Sequence, residues 1–135
     1  MENPDHPKAG LLNRAVAGMI DLIVVAALSG IPNIGLLASM LYVLIKDGFS
    51  GGQSLGKRLV GIKTLVITTD KDAGFRESII RNTPLLIARI LWIVPIIGWL
   101  CAGAVILFES MLVVGSLAGK RFGDELADTQ IVEAV

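Results

Sequence analysis

The sequence predicts an all-α membrane protein: four transmembrane helices in two hairpins, with a short cytoplasmic β/loop segment between them. Three observations predict it. Hydrophobic residues make up 53% of the 135-residue chain, and the mean hydropathy is +0.71. Charge is absent from the 24 residues 22–45 and again from the 19 residues 90–108. Each run is broken by turn-forming residues, Ser29-Gly30-Ile31-Pro32-Asn33 in the first and Pro95-Ile96-Ile97-Gly98 in the second. A water-facing fold of this size does not bury that much apolar surface, whereas a hydrocarbon core about 30 Å thick accepts about 20 apolar helical residues per span.

Taken in order, residues 1–10 are polar with two prolines and read as a flexible cytoplasmic tail. They lack the basic n-region and small-residue cleavage site of a signal peptide, so the first helix is expected to stay in the protein. Residues 11–135 then form one four-helix membrane domain, with spans at about 11–28, 34–46, 77–94 and 97–117. Pro32 cannot continue a helix without losing a backbone hydrogen bond, and Pro84 should bend the third span or mark its first turn. Neither long run shows the polar stripe of a soluble helix. The loop 48–74 contains β-branched Lys63-Thr64-Leu65-Val66-Ile67-Thr68-Thr69, which reads as a strand, and Gln130-Ile131-Val132 offers it a partner in a small cytoplasmic sheet.

Twelve basic residues balance 12 acidic ones, which leaves no polyelectrolyte case for a nucleic-acid partner. Their placement is more informative. Neither bend carries a charge, while Lys8, Lys46, Lys57, Arg58, Lys63, Lys71, Arg76, Arg81, Lys120 and Arg121 all fall on the opposite side. This positive-inside pattern predicts a multi-pass inner (cell) membrane protein with both termini cytoplasmic. Trp92 and Trp99 flank the second bend, where an outer aromatic belt is expected. The lone Cys101 and lone His6 support neither a disulfide nor a thiolate metal site, and there is no HExxH or Ser/His/Asp set. An enzyme is therefore not expected, no cofactor is implied, and no metal ligand set is read.

Arg14, Asp21, Arg89 and Glu109 lie within or at the edges of the spans. A charge in hydrocarbon costs about 2.5–3.5 kcal/mol at the centre on insertion scales, so each should face protein or water. Counted from the bends, Asp21 and Arg89 lie at depths of about 12 and 9 Å and form the expected pair. Glu109 lies deeper, and Arg14 is near the cytoplasmic side, reaching toward Glu109 or Asp124. Asp21, Glu109 and Arg89 are thus candidates for an ion or proton relay. The competing reading makes them neutralised pairs that fix helix register.

Gly51-Gly52-Gln53-Ser54-Leu55-Gly56-Lys57-Arg58 approaches a phosphate-binding loop, but Arg58 stands where a magnesium-holding hydroxyl belongs. The better reading is a flexible, basic reentry at the inner surface, with Gly56 allowing a turn and Lys57 and Arg58 meeting lipid phosphates. Gly115 and Gly119 have small-xxx-small spacing, Gly98, Ala102 and Val105 add a second small surface, and a homo-oligomer is expected.

Three stretches resemble the RDD family of integral membrane proteins. Asn13-Arg14-Ala15-Val16-Ala17-Gly18-Met19-Ile20-Asp21 is similar to its opening, an arginine at the start of the first helix and an aspartate in the middle. Gly51 to Lys63 resembles its GQ(T/S)xGK segment, which identifies Gly52, Gln53, Gly56 and Lys57 as a structural loop. Lys120-Arg121-Phe122-Gly123-Asp124-Glu125-Leu126-Ala127-Asp128-Thr129 resembles the closing segment, with Asp128 where many relatives carry glycine. The resemblance implies a bacterial or archaeal inner-membrane protein, with transport suggested and cation/proton exchange proposed for some members. It makes Arg14 and Asp21 the family's arginine and first aspartate, and Asp124 the second, with Asp47 as rival. The function expected is transport of a small cation, sodium or proton. A non-transporting membrane scaffold or assembly factor with structural ion pairs is the alternative.

Overall fold

The chain runs through α1 (Leu11–Ser29), α2 (Gly35–Ile45), a 3-10 turn (Lys46–Gly48), α3 (Leu55–Val60), β1 (Ile62–Val66) and β2 (Lys71–Asp72). It continues through α4 (Phe75–Leu91), α5 (Ile97–Gly115), α6 (Phe122–Leu126) and β3 (Thr129–Glu133). This computed structural model describes residues 6–117 and 119–134. Among the described residues two helices, α1 and α5, are long and apolar enough to cross a membrane, each with 19 residues. α4 has 17 residues and α2 has 11.

The packing is inverted relative to a water-soluble domain. Leu12, Leu100 and Val114 are each more than 70% exposed, whereas Asp47, Thr64, Ser78, Arg81, Asn82 and Asp124 are almost wholly buried. Large apolar side chains on the outside and polar groups gathered within are what a lipid environment demands.

Both expected hairpins form, with the bends at residues 30–34 and 92–96. The helices pack in the spatial order α1–α2–α4–α5, with no close packing of α1 against α5. Pro84 sits in the middle of α4, not in its first turn. Contrary to the expected absence of a polar stripe, α4 turns Ser78, Arg81 and Asn82 inward on one face, and all three are buried.

The two predicted strands do pair. β1 is central in a three-stranded antiparallel sheet of order β2-β1-β3, with Thr64 opposite Ile131 and Leu65 opposite Gln130. The N-terminal segment is less free than its composition implies. Ala9 N–H donates to Ile131 O at 3.1 Å, Glu133 N–H donates to Pro7 O at 2.9 Å, and Ala9 is buried. Pro7–Ala9 therefore ends at the sheet edge instead of hanging loose; residues 1–5 lie outside the described residues. Asp128 has φ 51°, a left-handed conformation that a glycine adopts without strain.

Candidate functional site

The 3-10 turn after α2 places Asp47 at the centre of the molecule, with no exposed surface. Lys57 Nζ from α3 donates to its Oδ1 at 2.5 Å, Asn82 Nδ2 from α4 donates to Oδ2 at 3.1 Å, and Arg81 Nη1 lies 3.5 Å from Oδ2. Thr64 of β1 accepts from both Lys57 Nζ, at 2.8 Å, and Arg81 Nη1, at 2.5 Å. Burial disfavours the charged carboxylate, but Lys57 and Arg81 outweigh it and hold Asp47 far below its ordinary 3.8. Asp47 thus ties the end of α2 to α3 and α4, and Lys57 and Arg81 carry the network on to β1.

Asp21 anchors the neighbouring group. Its Oδ2 accepts from Lys46 Nζ at 2.9 Å and Ser54 Oγ at 2.7 Å, and its Oδ1 from Gly56 N–H at 2.9 Å and Tyr42 Oη at 3.0 Å. Ser54 also caps α3 by accepting from Lys57 N–H at 3.3 Å. Gly56 is required by the closeness of this contact: a Cβ there would lie 2.0 Å from Ala17 O on α1.

Asp124 completes the cluster from α6. Arg81 Nη2 lies 2.7 Å from its Oδ1, Arg121 Nη2 at 3.7 Å from the same oxygen, and Arg14 Nη2 at 3.6 Å from Oδ2. Burial again opposes ionisation, and Arg81 and Arg121 prevail, holding this carboxyl below its ordinary value. Arg81 therefore bridges Asp47 and Asp124, the two rivals for the family's second aspartate. Arg14 also donates to Gly119 O, which fastens the segment after α5 beneath the start of α1. Arg14→Ala should release this strap and raise proteolysis of residues 116–134 several-fold in open membranes; an unchanged cleavage rate would show that the strap does not depend on Arg14.

The expected Asp21–Arg89 pair is not made. Arg89 Nη2 donates instead to Ser29 Oγ at 2.9 Å, tying α4 to the far end of α1, while the partners of Asp21 come from the opposite direction. The reason is α3, which packs beside α1 and carries backbone and hydroxyl donors to Asp21. Lys57 does not meet lipid phosphate either: it is buried on Asp47 and Thr64, and only Arg58 is exposed. In the structural loop, Gln53 Nε2 donates to Ile62 O at 3.0 Å, and Gly52 has φ 77° with Thr64 O close beneath it. Gly115 and Gly119 share no helical face, because α5 ends at Gly115 and Gly119 has φ 60°. Gly98 and Ala102 are buried within the chain.

Glu109 differs from the three aspartates. It is 4% exposed on α5 and makes no ion pair among the described residues. It lines a cavity of about 420 Å³ between α1, α4 and α5, together with Arg14, Asp21, Arg81 and Arg121. Sequence reasoning overlooked Arg81, Lys46, Ser54, Thr64 and Asn82; the i, i+3, i+4 spacing of Ser78, Arg81 and Asn82 was the available signal. Among the described residues no group of three or more His, Cys, Asp or Glu is placed to hold a metal ion.

No curated protein and no solved structure matches the chain. The family model described as the RDD family matches residues 34–128, a span that holds Asp47, Lys57, Arg81 and Asp124 and leaves Arg14 and Asp21 before it. Apolar α1 and α5, the outward-facing leucines and valines and this match agree: the chain belongs to the RDD family, whose members are typically membrane proteins.

Proposed function

We propose that this protein moves a small cation, sodium or a proton, across a bacterial or archaeal inner membrane, with Glu109 as the group that exchanges it. The single observation that supports the reading is a buried carboxylate that has no ion pair among the described residues and lines a 420 Å³ cavity. Arg14, Arg81 and Arg121 line the same cavity without forming an ion pair with this carboxylate, so its charge is compensated only at a distance and an arriving proton or cation can bind to it directly. In this reading all four long helices cross the bilayer, α2 as a short span that ends at the 3-10 turn, and both chain ends lie on the cytoplasmic side with the sheet. The uncharged bends at residues 30–34 and 92–96 and the basic residues at the other end support that orientation. A second copy closing the gap between α1 and α5 would make the protein a homo-oligomer and shield the cavity from lipid.

The second reading, a scaffold or assembly factor with structural ion pairs, is favoured by the pairing of Asp21, Asp47 and Asp124 with fixed basic partners. Flux through proteoliposomes separates the two. Wild-type protein is expected to carry pH-dependent sodium flux, and Glu109→Gln to reduce it to the level of empty liposomes at unchanged melting temperature. Wild-type flux no greater than that of empty liposomes would favour the scaffold, and full flux in Glu109→Gln would remove Glu109 from the mechanism. Asp21→Asn is the companion variant: its flux should fall only in step with its stability, because Asp21 holds α3 against α1.

A further inference from the structure

A second cavity, of about 320 Å³, lies where the end of α2 meets the loop before α3, with Tyr42, Lys46 and Ser54, all partners of Asp21, in its wall. Lys46 and Arg58 both line it, Ser50 and Gln53 add polar groups, and no carboxylate side chain is part of its wall. Lys46 Nζ has three hydrogen-bond donors and gives one to Asp21. Arg58 makes no ion pair among the described residues and is exposed. The rim is equally distinctive. Leu55, itself a lining residue, and Leu59 stand one turn apart on the same face of α3, 53% and 76% exposed, and Phe49 is 45% exposed beside them. Two cations alone would suit any phosphate. Cations beside an exposed apolar strip suit a phosphate that carries hydrocarbon.

We propose that this pocket holds the headgroup of an anionic phospholipid, with its phosphodiester between Lys46 and Arg58 and its acyl chains along Leu55 and Leu59. The inference rests on the reading that α1 and α2 cross a bilayer, which sets the pocket at the inner membrane surface, and it is independent of whether Glu109 carries ions.

Native mass spectrometry of the detergent-solubilised full chain, given phosphatidylglycerol and phosphatidylcholine with identical acyl chains, tests it. Phosphatidylglycerol should be retained in preference. Arg58→Gln should lower that retention about five-fold, the contribution of one basic side chain near a lipid surface, and Arg58→Glu should lower it further. Retention of phosphatidylcholine should not change. Equal retention of both lipids by the wild type, or selectivity that survives both variants, overturns the proposal. Displacement of phosphatidylglycerol by millimolar inorganic phosphate would assign the pocket to a free anion and overturn the lipid. Since Arg58 is exposed and outside the buried network, both variants are expected to melt like the wild type, and no flux is read.

Discussion

Asp47→Asn is expected to destabilise the protein by about 3–5 kcal/mol, the range found when one partner of a buried ion pair is removed. The loss is large because the carboxylate has two basic partners: Lys57 at 2.5 Å would stay buried with its compensating charge gone, and Arg81 at 3.5 Å would keep only Asp124. The asparagine keeps the shape, so the effect reads charge and not a cavity. Thermal melting of the solubilised chain measures it, and Asp47→Asn combined with Lys57→Met should recover part of the loss. The same carboxylates set an acid limit. Asp47 and Asp124 titrate lower in the folded chain than their ordinary 3.8, so the folded state gains stability from them above that pH. The gain is lost as the pH falls from 3.8 toward the folded values. The melting temperature should therefore drop steeply below about pH 4 in the wild type, and less steeply in Asp47→Asn.

Gly56→Ala should cost about 2–5 kcal/mol, from steric displacement together with an orphaned hydrogen bond. A methyl group 2.0 Å from Ala17 O and 3.0 Å from Asp21 Oδ1 meets backbone on one side and the carboxylate on the other. α3 must retreat from α1, and the Gly56 N–H and Ser54 Oγ contacts to Asp21 are lost together. Melting temperature and protease access to residues 48–61 report the change. A variant that melted like the wild type would show that the α1–α3 contact yields without cost.

The bends and the strand pairing were legible because they depend on local chemistry: proline and glycine against an apolar background, and β-branched residues in short runs. The reach of Arg14 toward Glu109 or Asp124 was legible from its place near the cytoplasmic side, and it was the resemblance of the closing segment that singled out Asp124. Asp21 was misjudged for a physical reason. Counting depth from a bend assumes that only spans occupy the interior, whereas α3 brings Ser54, Gly56 and Lys57 alongside α1. Arg81 was hidden differently. It looks like one more basic residue outside the bilayer until Thr64, Asp47 and Asp124, from three distant stretches, converge on it.

The pairing of β3 with β1 has a consequence for how the chain is made. Arg81 emerges from the ribosome more than 40 residues before Asp124, and Arg14 more than 100 residues before it. Until residues 121–133 appear, both guanidinium groups lack this counter-charge, and Ala9 has no Ile131 carbonyl to receive its N–H. The helices are therefore made while the knot of charges is still open, and residues 121–133 are the ones that lock it. A chain halted after residue 120 should be held in an unlocked, protease-sensitive form, its four long helices present but the charges at their base unpaired.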